Sequence, residues 1–285
     1  MSRLLLLFAV LVLSACQTAK PVDIAVSTAR PTLSLVTLNL YHDKDDWPRR
    51  RVQIAATLKT LQPDVIALQE VLQHENLPNQ AEWLAQQLGY ESHFVSVDPP
   101  SATRRYGNAV LTRLPVLVRG ETRLHPLDDS RTAALLRVEL QGKPINIYAT
   151  HLHHTEQGGA MRSQQINDLM AFIAATAGGF PSVVAGDFNA AADSPELAAL
   201  RLDFADTYGS LHPDVDANAS STLNLHYFKP ARIDHVFFQR NAFKPVFAEI
   251  ILDHADARGT WPSDHYGLSV QLQLADDNIR VAGTP

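Results

Sequence analysis

The sequence predicts an α/β fold: a four-layer α/β/β/α sandwich in which two mixed sheets pack face to face between helices. Three observations predict it. Strand-like and helix-like segments alternate early in the chain, and apolar strand runs then follow one another with few helices between them. No repeat and no Pro/Gly-rich linker divides Thr32 from Ala275, so the folded part reads as one domain over 32–275. A purely parallel sheet would need a crossover in every connection, which the later strand-to-strand links do not supply.

The elements follow in order. Thr32 to Leu40 is rich in leucine and β-branched residues and reads as a buried strand. Ile54, Leu58 and Leu61 fall at the i, i+4, i+7 spacing of an amphipathic helix. Pro63 opens a second buried strand, Asp64 to Gln69, and Ala81, Leu84, Ala85 and Leu88 repeat the helical stripe. Further strands are expected at Asn108 to Leu111, Ala133 to Leu140 and Ile145 to Thr150. Ile166, Leu169, Met170 and Ile173 mark a third helix, before strands at Ser182 to Ala185, Ile233 to Phe238, Val246 to Ile251 and Leu268 to Leu274. The stretches Ser96 to Gly107, Glu121 to Arg131 and Asp206 to Arg232 read as long loops rich in Pro, Asp, His and Arg. Loops of that length carry function more often than structure.

Composition sets limits on function. With 285 residues, 46% hydrophobic and 19% charged, the chain can bury a substantial core. Lys+Arg 24 against Asp+Glu 30 leaves a formal net charge of −6, which argues against wrapping of long nucleic acid. The single cysteine, Cys16, excludes an intramolecular disulfide and a cysteine-based zinc site.

Arg3, the apolar run Leu4 to Leu13, and the small residues Ser14 and Ala15 have the proportions of a secretory signal. The run is too short to span a bilayer. Leu13-Ser14-Ala15-Cys16 resembles the bacterial lipobox. That resemblance implies a signal peptide over 1–15, a lipidated Cys16 as the mature N-terminus, and attachment to the membrane of a bacterial cell envelope. Gln17 in place of Asp implies sorting to the outer membrane. Residues 16–31 then form a polar tether that reaches about 50 Å when extended, and 276–285 form a tail. Removing 1–15 takes Arg3 away, so the mature chain carries −7.

Several apolar runs end in polar residues. Asn39 closes Thr37-Leu38-Asn39, Glu70 closes Leu68-Gln69-Glu70, and His151 stands in Thr150-His151-Leu152. Asp187 and Asn189 follow the run Val183 to Gly186, Asp234 lies in Arg232-Ile233-Asp234-His235, and Asp264 and His265 precede Tyr266-Gly267. A lone carboxylate at a strand end is usually a turn former or helix cap. Six such ends are another matter, because strand ends converge on one edge of a sheet. Glu70, Asp264 and Asn39 offer hard oxygen donors of the kind that bind Mg²⁺ or Mn²⁺. His265 and His151 can move protons or bind a phosphoryl oxygen, and Asp234 can fix an imidazole tautomer.

In this order, these motifs, with Gly107-Asn108-Ala109-Val110-Leu111, Gly186-Asp187-Phe188-Asn189 and Ser263-Asp264-His265, resemble the endonuclease/exonuclease/phosphatase superfamily of DNase-I-like metal-dependent phosphohydrolases. The resemblance covers about Thr32 to Leu274. It implies a Mg²⁺ held chiefly by Glu70, with Asn39 and Asp264 beside it. His265, oriented by Asp234, would bind or deprotonate the attacking water, and Asp187 would position that water. Asn189 would bind a phosphate oxygen, His151 would stabilise or protonate the leaving side, and Asn108 would support the phosphate pocket. Attack would be in line.

Other polar clusters read differently. His151-Leu152-His153-His154 is followed by Thr155-Glu156, which does not continue a two-metal zinc pattern, and His74-Glu75 lacks a second histidine four residues on. His153 and His154 are expected at the pocket rim, and Asp45-Asp46 and Asp128-Asp129 as solvated loop charges. In Arg104-Arg105-Tyr106 the two guanidinium groups and the ring are expected to meet a substrate phosphate or base. Arg104, Arg105, Arg131 and Arg232 together would give a local basic rim. The Thr-His-Leu setting of His151 is similar to the DNase, sphingomyelinase and inositol-phosphatase branches rather than to abasic-site endonucleases. The expected function is extracytoplasmic Mg²⁺-dependent hydrolysis of a phosphate ester, with a lipid head group among the candidate substrates. A secreted nuclease and a non-catalytic binding lipoprotein are the alternatives.

Overall fold

Inward-facing apolar residues of two six-stranded sheets form the centre of the computed structural model, which describes residues 30–275. The readings of 1–15, of most of 16–31 with Cys16, and of 276–285 lie outside the described residues. The first sheet contains β1 (Thr32–Asn39), β2 (Val65–Gln73), β3 (Glu91–Ser96), β4 (Arg105–Thr112), β11 (Phe243–Ile251) and β12 (Gly267–Leu274). Its order is β11-β12-β1-β2-β4-β3. The second contains β5 (Val116–Arg123), β6 (Thr132–Leu140), β7 (Lys143–His151), β8 (Ser182–Asp187), β9 (Phe204–Asp206) and β10 (Asp234–Gln239), in the order β5-β6-β7-β8-β10-β9.

Each sheet has one parallel pair, β1 with β2 and β7 with β8, while its other pairs are antiparallel. A parallel pair needs a long crossover. Helix α1 (Trp47–Leu61) supplies the first and α3 (Gly159–Thr176) the second. Helix α2 (Gln80–Leu88) joins α1 on the outer face of the first sheet, and α4 (Ala198–Arg201) joins α3 on that of the second. A short helix, α5 (Thr207–Leu211), follows β9.

The period of two along each strand separates these layers. Leu33 and Leu35 of β1, with Val65 and Ala67 of β2, share the inter-sheet core with Ile145, Ile147, Val183, Ala185 and Val236. Their neighbours Val36, Leu38, Ile66 and Leu68 pack under Ile54, Leu58 and Leu84 of the helices. Tyr148, Val184 and Phe237 lie in the same way under Ile166, Leu169 and Ile173. The four-layer mixed sandwich expected from sequence is the fold found.

The strands absent from the sequence reading, β3, β5 and β9, are all at sheet edges. An edge strand is half solvated and shows no continuous apolar run. β5, for instance, exposes Leu117, Val118, Arg119, Glu121 and Arg123. The expected loops are correspondingly shorter, because β3, β4 and β5 occupy their ends and α5 interrupts the third.

Gly186 shows how tightly β7 and β8 approach at the site end. A Cβ there would stand 2.0 Å from the Thr150 carbonyl oxygen, and φ is +146°. Gly186→Ala is therefore expected to destabilise the fold by 1 to 3 kcal/mol or more, on the order of other strained backbone positions. Thermal unfolding checks this, and an unchanged Tm would contradict the close approach.

Candidate active site

Strand direction places the chemistry. Asn39 ends β1, His151 ends β7 and Asp187 ends β8, while β10 runs antiparallel to β8 and begins with Asp234 opposite Asp187. All four continue the inward-facing positions of their strands, so the inter-sheet core gives way at one rim to a polar cluster. Glu70 arrives differently. Ile66 and Leu68 face the helices, and unbroken alternation would aim Glu70 there too. A bulge between Leu68 and Val71, with Glu70 at φ +54°, turns its carboxylate into the cavity instead.

The cavity has a volume of about 680 Å³, and Glu70, His151, Asp187, Asn189, Asp264, His265 and Arg104 are among its lining residues. His265 Nδ1 lies 2.8 Å from Asp234 Oδ2, both residues being buried. That contact fixes the ring and leaves Nε2 as the nitrogen available to a water. Burial by itself lowers an imidazole's pKa, but the charge and hydrogen bond of Asp234, aided by Asp187 and Asp264, push His265 up to about 10. Burial and the neighbouring Asp234 raise Asp187 to about 7. Asp264 is raised to about 6 by burial and the charge of Glu70, against the pull of His265.

Asp187 is held at both oxygens. Asn39 Nδ2 donates to Oδ2 at 3.0 Å, the Asn189 backbone N–H donates to Oδ1 at 2.9 Å, and His151 Nε2 stands 3.4 Å from Oδ2. Asn189 Nδ2 donates to the Leu152 carbonyl at 3.0 Å, which orients its side chain across the β7 and β8 ends. Burial, and then the positive charge of Arg131, hold His151 well below the usual imidazole range, so this ring is neutral.

The donor set fits a hard divalent cation. Asp187, Asp234 and His265 each place one ligand atom within 4.8 Å of the others, and Asp234 Oδ1 is buried without a hydrogen-bond partner. Most oxygens of that trio are already engaged by Asn39, Asn189 and His265. Glu70 and Asp264, which face the cavity, are the more open oxygen donors. Burial alone would raise Glu70, yet His42, with Nε2 2.8 Å from Oε2, and the nearby His265 and Asn39 hold it below its ordinary value. Asn39 has less to give, because its Oδ1 already accepts from the Tyr41 N–H.

Not every expected residue reaches the cavity. Asn108 donates to the Thr132 carbonyl and hydroxyl, both at 3.1 Å, and ties β4 to β6 beneath the site without lining it. Arg105 lies over the Phe94 ring, 4.9 Å from its centroid, whereas its neighbour Arg104 lines the cavity. Arg105 is the first residue of β4, whereas Arg104 belongs to the turn before it. Arg232 pairs with Asp206 and lines a different cavity, so the basic rim reduces to Arg104 and Arg131. His154 is at the rim, while His153 is turned to Asp129 at 2.9 Å. Asp129 itself lines the cavity, contrary to its reading as a solvated charge. Asp46 caps α1, and Asp45 accepts from the Tyr227 hydroxyl at 2.9 Å.

Two contributors, His42 and Arg50, carried no sequence signal, whereas Tyr106 is singled out in the sequence with Arg104 and Arg105. His42 and Tyr106 line the cavity, with Tyr106 Oη 3.5 Å from His151 Nδ1. Arg50 is buried and donates to the carbonyls of Leu40, Tyr41, His42, Lys44 and Pro262. It thereby joins the loop carrying His42 to the segment leading into Asp264. An arginine on a helix stripe reads as solvated from sequence, and its carbonyl partners are set only by the fold.

Two mixed sheets with acidic groups and an Asp–His pair at one rim define the DNase-I-like class of α/β sandwich. The Endonuclease/Exonuclease/phosphatase family model matches residues 36–265, and the chain belongs to that family, one of metal-dependent phosphodiesterases. Among curated proteins it is similar to Nocturnin of Drosophila melanogaster, 25% identical over 80% of this chain. The match spans 42% of that protein's length. Among solved structures, the human Nocturnin catalytic domain with bound sulfate anion superposes with TM-score 0.70 at 22% identity, covering 86% of this chain and 94% of that one. An endonuclease/exonuclease/phosphatase from Bacteroides vulgatus gives 0.71 at 20% identity, covering 86% and 99%. D. rerio TDP2 complexed with single strand DNA product gives 0.71 at 17% identity, covering 85% and 99%.

Proposed function

We propose that this protein is a Mg²⁺-dependent phosphohydrolase that cleaves a phosphodiester or phosphomonoester by in-line attack of water. The observation that carries the reading is the buried Asp234–His265 pair beside Asp187 and the oxygen donors Glu70 and Asp264. Asp234 orients the imidazole, His265 holds the water and takes its proton at Nε2, and Asp187 steers that water through its fixed carboxylate. Neutral His151 and Asn189, both beside Asp187, face the phosphoryl oxygens. A divalent cation at Glu70 and Asp264, with Mn²⁺ as a substitute for Mg²⁺, would supply Lewis-acid charge and offset the carboxylates that keep His265 protonated.

For the substrate we favour a small or lipid-linked phosphate ester over long duplex DNA. A net charge of −6 opposes a polyanion, and duplex affinity comes from many Lys/Arg contacts to phosphate. The second reading is a nuclease, favoured by Arg104 and Arg131 at the cavity. The test is kcat/KM for bis-p-nitrophenyl phosphate, p-nitrophenyl phosphate, phospholipid vesicles, RNA and plasmid DNA at two salt concentrations. Efficient, steeply salt-sensitive plasmid cleavage with negligible turnover of the rest would replace the first reading by the second. No turnover of any substrate would leave the binding-only lipoprotein.

Location belongs to the same proposal. Lipidation at Cys16 would hold the site within tether reach of an envelope membrane, raising encounter with head groups. Mass analysis of the mature N-terminus is expected to show a diacylated Cys16, and Cys16→Ser is expected to abolish that processing. An unacylated wild-type protein cut elsewhere would refute the anchor.

A further inference from the structure

We infer that Arg131 is the anion-binding residue of the cavity, holding phosphoryl oxygens beside His151. The inference deepens the phosphohydrolase reading and rests on it for the identity of the anion.

Arg131 stands at the turn into β6 and is 7% exposed, yet it lines the cavity. Its Nε and Nη1 are buried without a hydrogen-bond partner. The remaining nitrogen, Nη2, lies 3.4 Å from His154 Nδ1, and the Tyr106 hydroxyl is a further neutral neighbour of the guanidinium. The nearest carboxylate does not satisfy the group. Asp129 Oδ2 is 3.8 Å from Nε, beyond hydrogen-bond range, and that oxygen already accepts from His153 at 2.9 Å and Gln165 at 2.8 Å.

An arginine with a purely structural role spends its donors on carbonyls or carboxylates, as buried Arg50 does in this protein. A guanidinium taken out of water with open donors is costly unless something completes it. Its planar fork matches a phosphoryl group, which can accept two parallel hydrogen bonds. Its position also fits. The charge of Arg131 acts on both His151 and the Tyr106 hydroxyl, so an anion bound here sits beside the neutral imidazole. Arg104, from the turn into β4, adds a second cation at the mouth.

Inorganic phosphate is the probe, titrated calorimetrically into full-length protein in EDTA so that no cation contributes, with Tm followed at rising phosphate. Arg131→Gln is expected to weaken phosphate binding about tenfold or more, the scale of a lost charged hydrogen bond, with Arg131→Lys falling between. Asp129→Asn removes the one negative charge beside Nε and is expected to tighten binding; weaker or unchanged binding in this variant would count against the assignment, which keeps the test open if Arg131→Gln does not fold. Phosphate affinity equal to wild type in folded Arg131→Gln, or no phosphate binding by the wild type, overturns it. Ester hydrolysis measured in parallel separates the two readings. Hydrolysis with Arg131-independent phosphate binding defeats only the arginine's role, whereas Arg131-dependent binding without hydrolysis of any ester defeats only the enzymatic reading.

Discussion

His265→Ala is expected to lower kcat by about 10² to 10⁴-fold while the protein stays folded, the scale on which a general acid or base contributes. The ring meets Asp234 at 2.8 Å, which fixes its orientation in the cavity. Asp234→Asn should act in the same direction, because an amide can present its N–H to Nδ1 and reverse the tautomer. Its loss should not add to that of His265→Ala, since the two residues work as one unit. Pre-steady-state and steady-state kinetics on the best ester of the substrate panel check this. Near wild-type turnover in either single variant, or additive losses in the double, would break the pair.

Chelation is expected to abolish hydrolysis, and Mg²⁺ or Mn²⁺ to restore it. The cavity gathers Glu70, Asp187 and Asp264 with buried Asp234 behind them, an acidic set that opposes the negative charge of the reacting phosphoryl group unless a cation offsets it. Glu70→Gln keeps the size of the side chain and removes its charge, so it should raise the metal concentration needed for half-maximal rate by tenfold or more, the usual order for a lost charged contact. Full activity after exhaustive EDTA treatment, with metal content measured, would remove the cation from the mechanism. The same titration reports on His265. As positive charge accumulates beside the carboxylates, the group that Asp234, Asp187 and Asp264 hold near 10 against the effect of burial should titrate lower, which NMR of the ring can follow.

The residues that sequence reading found share one property: they stand where an apolar run breaks. Asn39, His151, Asp187 and Asp234 each interrupt or end a buried strand, and a polar residue in that position has no reason to be there unless it is capped or used. The residues it missed lack such a background. His42 is flanked by polar residues, and Arg50 sits among other arginines on a helix. Arg104 and Arg105 looked equivalent as neighbours, yet one lines the cavity and the other covers the Phe94 ring.

The sequence by itself determined the layers, since hydrophobic period and run length depend only on local order: period two for strands, 3.6 for helices, and buried runs long enough to be covered on both faces. It also determined which strand ends carry carboxylates and imidazoles. Tertiary structure decided the rest. The edges β3, β5 and β9 exist because a neighbour offers them hydrogen bonds, which their half-solvated composition does not announce. Glu70 reaches the cavity only through a bulge formed against β4, where two residues of one strand face one of the other. Arg131 has open donors because Asp129, two residues away in sequence, is taken by His153 and Gln165 from distant segments. Pairing, register and competition for hydrogen bonds are relations between segments far apart in the chain, and a local pattern cannot encode them.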